Sequence, residues 1–260
     1  MSLLFEALSV PLFQRALLAG LLVSIACGII GTYVVVKRIS SITGGLSHTA
    51  FGGVGLGYLI GFNPLAGALG FCVVCAVLLA FVYRRKREGL DTLVSMLWSL
   101  GMALGMVFIA LTPGYAPDLS GYLFGSILFV PDQYLYLSLS LDILSLLSVI
   151  LFSKYFQAIC FDEEYAESAG LSVDFILTAL LLLTALTVVL LIKVAGVILS
   201  IAFLTTPAVI AQHWRGSLRA MMCAATALSA LGIACGLFLA YWLSASWGIE
   251  TPTGPLIILC

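Results

Sequence analysis

Long uncharged stretches, separated by short clusters of charged or turn residues, run through this chain from near its start to near its end. A hydrocarbon core about 30 Å thick takes roughly 20 helical residues, so each such stretch predicts one transmembrane helix. Ala16 to Val36 is the first and stops at Lys37-Arg38. The uncharged run from Ile39 to Tyr83 is too long for one helix and is broken by Asn63-Pro64. It divides into a short, glycine-rich second span from about His48 to Phe62 and a third that ends at Arg84, Arg85, Lys86 and Arg87. Thr92 to Thr112 makes the fourth span, and Pro113 to Pro131, with Pro113, Gly114, Pro117 and Gly121, reads as a loop lying at the membrane surface. The remaining spans are expected near Gln133 to Phe152, Phe175 to Ile192, Val194 to Ala211 and Ala220 to Trp247. Between the fifth and sixth, Lys154 to Asp174 gathers Asp162, Glu163, Glu164 and Glu167 and must lie in water. The apolar tail Leu256 to Cys260 is too short to span.

The pattern therefore predicts an all-α membrane protein, a single permease-like domain over residues 1–260 built as a bundle of about eight transmembrane helices with short loops. Composition agrees: 62% of residues are hydrophobic and 9% charged, which excludes a water-soluble fold. A net charge of −1 leaves no basic face for nucleic acid. Glu6 and Arg15 give no basic n-region, and the apolar stretch after Arg15 exceeds a signal peptide's core. The positive-inside rule sets the orientation. With the N-terminus extracytoplasmic, Lys37, Arg38, Arg84, Arg85, Lys86, Arg87, Lys154, Arg215 and Arg219 fall inside, leaving only Arg15 and Lys193 of the 11 lysines and arginines outside. This puts the acidic segment in the cytoplasm of a multi-pass protein. The seven cysteines lie mostly in apolar runs, and Cys72 and Cys75 read as packing residues rather than a redox pair.

No P-loop, H-E-x-x-H or G-x-S-x-G occurs, and no paired carboxylates fall in one apolar run, so no catalytic residue is predicted. Polar groups at membrane depth then point to transport. His48 stands beside Ser47 and Thr49 at the mouth of a glycine-lined helix. Imidazole is a common transition-metal ligand, so two readings stay open: a metal ligand, or a neutral ring hydrogen-bonded between helices. Asp142, in the middle of the fifth span, must face a cavity or a partner and is a second candidate metal-pathway residue. Lys193 is expected to snorkel and His213 to be interfacial. Gly53/Gly57, Gly101/Gly105 and Gly232/Gly236 are G-x-x-x-G pairs that predict close helix packing.

Several stretches occur together and in order: Arg38 to Gly57 with its Ser47-His48, Phe161-Asp162-Glu163-Glu164-Tyr165-Ala166 before Gly170-Leu171, Lys193-Val194-Ala195-Gly196-Val197, and Pro207-Ala208. In these the chain resembles the zinc, manganese and iron family of ABC importer permeases over nearly its whole length. The resemblance implies import of a divalent transition-metal ion by alternating access, with His48 as a transient pathway ligand. It also implies that Asp162 to Gly170 is the coupling helix on a cytoplasmic ATPase. Phe161, Asp162, Glu163, Glu164, Tyr165 and Gly170 would be its contact residues. The implied assembly is a homodimer in the plasma (inner) membrane, with two ATP-binding subunits and an extracytoplasmic metal-binding protein. ATP would be hydrolysed by the separate subunit and no cofactor held permanently. The family's usual aspartate four residues before the histidine is replaced here by Gly44. Rival readings are a permease for iron chelates or cobalamin, a proton-coupled secondary carrier using Asp142 and His48, and a non-transporting scaffold. The acidic cytoplasmic segment argues against the carrier, which has no ATPase to dock.

Overall fold

The computed structural model describes residues 7–85, 90–113, 125, 127, 130–248 and 251–260. Lys86, Arg87 and most of the expected loop from Pro113 to Pro131 lie outside these. The helices are α1 (Pro11–Val36), α2 (Ser40–Ile60), α3 (Pro64–Arg85), α4 (Leu90–Leu111), α5 (Asp132–Phe161), α6 (Glu163–Ser168), α7 (Val173–Ala195), α8 (Val197–Trp214), α9 (Leu218–Trp247) and α10 (Thr253–Leu259). Among the described residues, six of them are long and apolar enough to cross a membrane: α1, α3, α4, α5, α7 and α9. The expected number was about eight. The other two long helices are α2, with 21 residues, and α8, with 18 residues and Pro207 inside it.

Helix α5 runs on to Phe161, well past the expected end at Phe152, and helix α2 begins at Ser40 rather than near His48. Its hydroxyls fold back on their own turn: Thr43 donates to the Ser40 carbonyl at 2.7 Å, Ser47 to Thr43 at 2.9 Å and Thr49 to Gly45 at 2.7 Å. Satisfied in this way, Ser and Thr enter an apolar helix at little cost. Low hydropathy is tolerated because α2 is buried along most of its length. The turn to α3 needs Gly61, which takes φ 81° and closes the helix on the Gly57 carbonyl at 3.0 Å. Asn63 then accepts from the Leu65 N–H at 2.9 Å to start α3.

The chain divides into two compact units, one of residues 1–32, 119–144 and 190–260, the other of residues 33–118 and 145–189. In the first, α1 lies on α9 so closely that a Cβ on Gly28 would stand 1.9 Å from the Thr226 hydroxyl oxygen. Phe13 packs against Phe238 at 4.9 Å between ring centroids. The C-terminal α10 packs on α8 and α9, with Ile257 against Gly236. In the second unit α2 packs against α3 and α4. A Cβ on Gly53 would lie 2.2 Å from the Gly67 carbonyl oxygen, and one on Gly105 would lie 2.8 Å from that of Phe51. Where lipid is as apolar as the helix surface, this backbone-to-backbone approach supplies the attraction.

Candidate metal pathway and docking end

His48 lies on α2 two turns past Ser40, where α4 comes nearest. A Cβ on Gly101 would meet Thr49 Cα at 2.5 Å and the His48 carbonyl oxygen at 2.8 Å. That approach places Trp98 one turn back on α4, and its ring stacks on the imidazole, 4.1 Å between centroids and 12° from parallel. The ring is half-buried and its Nδ1 is enclosed without a hydrogen-bond partner. An unsatisfied buried polar atom costs on the order of 1–3 kcal/mol, which a ligand at that nitrogen would relieve. The interhelical hydrogen bond of the bland reading is thus absent at Nδ1. Cys72 and Cys75, both buried, turn toward α2: the Cys72 thiol donates to the Leu46 carbonyl at 3.3 Å, and the Cys75 sulfur lies 3.8 Å from Thr49 Oγ1. Among the described residues, no three His, Cys, Asp or Glu side chains gather as a metal cage.

The acidic segment forms a second site. Asp162 caps α6, its carboxylate accepting from the Tyr165 N–H at 2.9 Å. Gly170 ends the segment with φ 81°, and Leu171 N–H returns to the Ala166 carbonyl at 3.0 Å. Glu164, Tyr165 and Ser168 are exposed along one stripe of α6, and Phe161, at the end of α5, is exposed as well, at 75% against 69% for Tyr165. Two such exposed rings beside carboxylates make a surface fit for a protein partner. Glu163 does not belong to that stripe. Its side chain is buried and paired with Lys37, and the Tyr83 hydroxyl donates to the same carboxylate oxygen at 3.1 Å. Arg84 closes the far side, donating to Glu167 at 3.0 Å and pairing with Asp174.

Residues 9–260 match the ABC 3 transport family. The chain belongs to that family. It is 37% identical to a protein of Chlamydia trachomatis named a probable metal transport system membrane protein, over 96% of this chain and 85% of that one. Over 90% of this chain and 84% of the other, it is 31% identical to the manganese transport system membrane protein MntC of Listeria monocytogenes. Among solved structures, PsaBC from Streptococcus pneumoniae in complex with Fab superposes with TM-score 0.83 and 27% identity, covering 99% of this chain and 91% of that one.

In this ABC 3 protein Asp142 belongs to the first compact unit and His48 to the second. The Asp142 side chain is buried beside the Ala26–Cys27 stretch, its carboxylate approaches the Ala26 backbone without a hydrogen bond of normal geometry, and the buried Ser138 hydroxyl one turn before it is unpartnered. Lys193 lies over the Tyr134 ring, 5.5 Å from its centroid. His213, exposed, meets the Val209 carbonyl of its own turn at 2.9 Å. Sequence reasoning missed Trp98, Tyr83 and the inward turn of Lys37. Trp98 precedes Gly101 by three residues, one helical turn, and this was its available signal.

Proposed function

We infer that this ABC 3 protein is the membrane-spanning permease of an ATP-driven importer of divalent metal ions, His48 being the group that takes the ion in transit. The carrying observation is the imidazole held against Trp98 with its Nδ1 enclosed and unpaired. A single weak ligand releases what it binds, as conduction requires, whereas a complete cage would retain it. Gly44 removes the carboxylate that would strengthen the site. Zinc, manganese and iron all suit one imidazole, and the names of the Listeria and Chlamydia relatives support a metal cargo, manganese among them.

The exposed stripe of Glu164, Tyr165 and Ser168, together with Phe161, is the docking surface for a cytoplasmic ATP-binding subunit in this reading. Two such subunits, a homodimer of this chain and an extracytoplasmic metal-binding protein complete the importer, with the N-terminus outside. Single cysteines at Gly216 and Asn63 test that orientation, the first labelling only from inside and the second only from outside. Labelling of both from one side would reverse it.

The function is tested in proteoliposomes holding this chain, its ATPase and its binding protein. ATP should drive uptake of free manganese or zinc. Uptake of an iron chelate or cobalamin in its place, or metal uptake driven by a proton gradient without ATP, would overturn the reading.

A further inference from the structure

Lys37 sits in the three-residue link 37–39 between α1 and α2, where Arg38 takes a left-handed φ of 59°. The side chain turns inward from this link. Its ammonium donates to the Glu163 carboxylate and to the Ile159 carbonyl in the last turn of α5, and it lies 5.8 Å from the centroid of the Tyr83 ring. The side chains of Lys37 and Glu163 are 6% and 5% exposed. All these residues fall within the second compact unit. Four chain segments therefore meet at one pair of charges: the link before α2, the last turn of α3, the end of α5 and the first turn of α6. Helix α6 has six residues, and only Glu163 and Ala166 of it are buried. Among the described residues, Glu163 is its buried charged hold on the rest of the unit, Glu167 making only the more exposed pair with Arg84.

We propose that the Lys37–Glu163 pair is the positioning contact through which α6, moved by the ATPase, moves the His48 helix. A pair closed off from water cannot exchange its partner for solvent, so if α6 shifted without Lys37 each charge would be left buried without its counter-charge. The link follows α6. Ser40 starts α2 three residues after Lys37, and His48 stands about 12 Å further along that helix at 1.5 Å per residue. Glycine contacts to α3 and α4 keep α2 from absorbing the shift by bending. The exposed stripe of α6 holds the ATPase, and the buried edge delivers the movement. The proposal rests on reading α6 as the ATPase-docking element.

The test is the ratio of metal taken up to ATP hydrolysed by the reconstituted complex, measured with manganese or zinc. Glu163→Gln should leave the ATPase bound and hydrolysing while the ratio falls about tenfold. Exchanging the charges, Lys37→Glu with Glu163→Lys, should return it to near the wild-type value, a rescue that a merely local packing role does not give. An unchanged ratio in Glu163→Gln, or an assembled exchange variant that stays uncoupled, would overturn the proposal. Should the exchange variant fail to assemble, Lys37→Gln is read in its place. It must uncouple to the same degree as Glu163→Gln, and a coupled Lys37→Gln would overturn the pair. Absence of ATP-driven uptake in the wild-type complex would instead be the failure of the permease reading, and would take this proposal with it.

Discussion

Two polar regions of this chain are handled in opposite ways. Between the end of α5 and the start of α7 the buried charges of the described residues are matched: Lys37 pairs with Glu163, which also accepts from Tyr83, and Lys37 donates to the Ile159 carbonyl. Along α2 near His48, the serines and threonines satisfy themselves on their own helix and the imidazole Nδ1 is left open. Matched groups resist separation and so transmit force. An open group can take an ion and give it up. In the proposed reading, the first region is machinery and the second is path.

The comparison is broken most directly by removing one half of a matched pair. Lys37→Ala leaves the Glu163 carboxylate buried without its counter-charge, and should lower the stability of the purified protein by about 3–5 kcal/mol in thermal or denaturant unfolding. Arg84→Ala cuts a pair whose carboxylates are 59% and 72% exposed, and should cost at most about 1 kcal/mol. Equal losses from the two would show that burial does not separate them. Next in size is Gly53→Val. The added Cβ would stand 2.2 Å from the Gly67 carbonyl oxygen, so α2 and α3 must part, at about 1–3 kcal/mol and with loss of folded protein on size-exclusion chromatography. Smaller again is Glu164→Lys on the exposed stripe. It should leave the protein folded and inserted while weakening retention of the ATPase about tenfold in a pull-down, or about 1.4 kcal/mol. A Glu164→Lys protein that retains the ATPase fully would remove the stripe from the docking surface.

The helical membrane fold was legible because hydropathy and charge boundaries depend on the bilayer alone, and α4, α7 and α9 lie close to the predicted stretches. The start of α2 was not. Thr43 and Ser47 look like a polar boundary until their hydroxyls are seen to bond within the helix, a local choice that no hydropathy window records. His48 and the acidic segment could be singled out as candidates because an ionisable group in an apolar run, and a run of carboxylates between spans, are rare enough to stand out. Their roles divided on tertiary contacts. Glu163 and Glu164 are neighbours of the same type, yet one is buried against Lys37 and the other faces outward, because successive helical residues point about 100° apart. Trp98 belongs to the same class of omission: an aromatic residue in an apolar helix reads as lipid-facing or core until its stacking partner is known.

The central claim is that the open imidazole carries the ion, and His48→Asn tests it most directly. Asparagine keeps hydrogen-bonding capacity at that place but is a poor ligand for zinc or manganese. In proteoliposomes containing the complete complex, ATP-driven metal uptake should be abolished or sharply lowered in His48→Asn, while expression, assembly and basal ATP hydrolysis stay near wild type. Full metal uptake by the assembled His48→Asn complex would contradict the account.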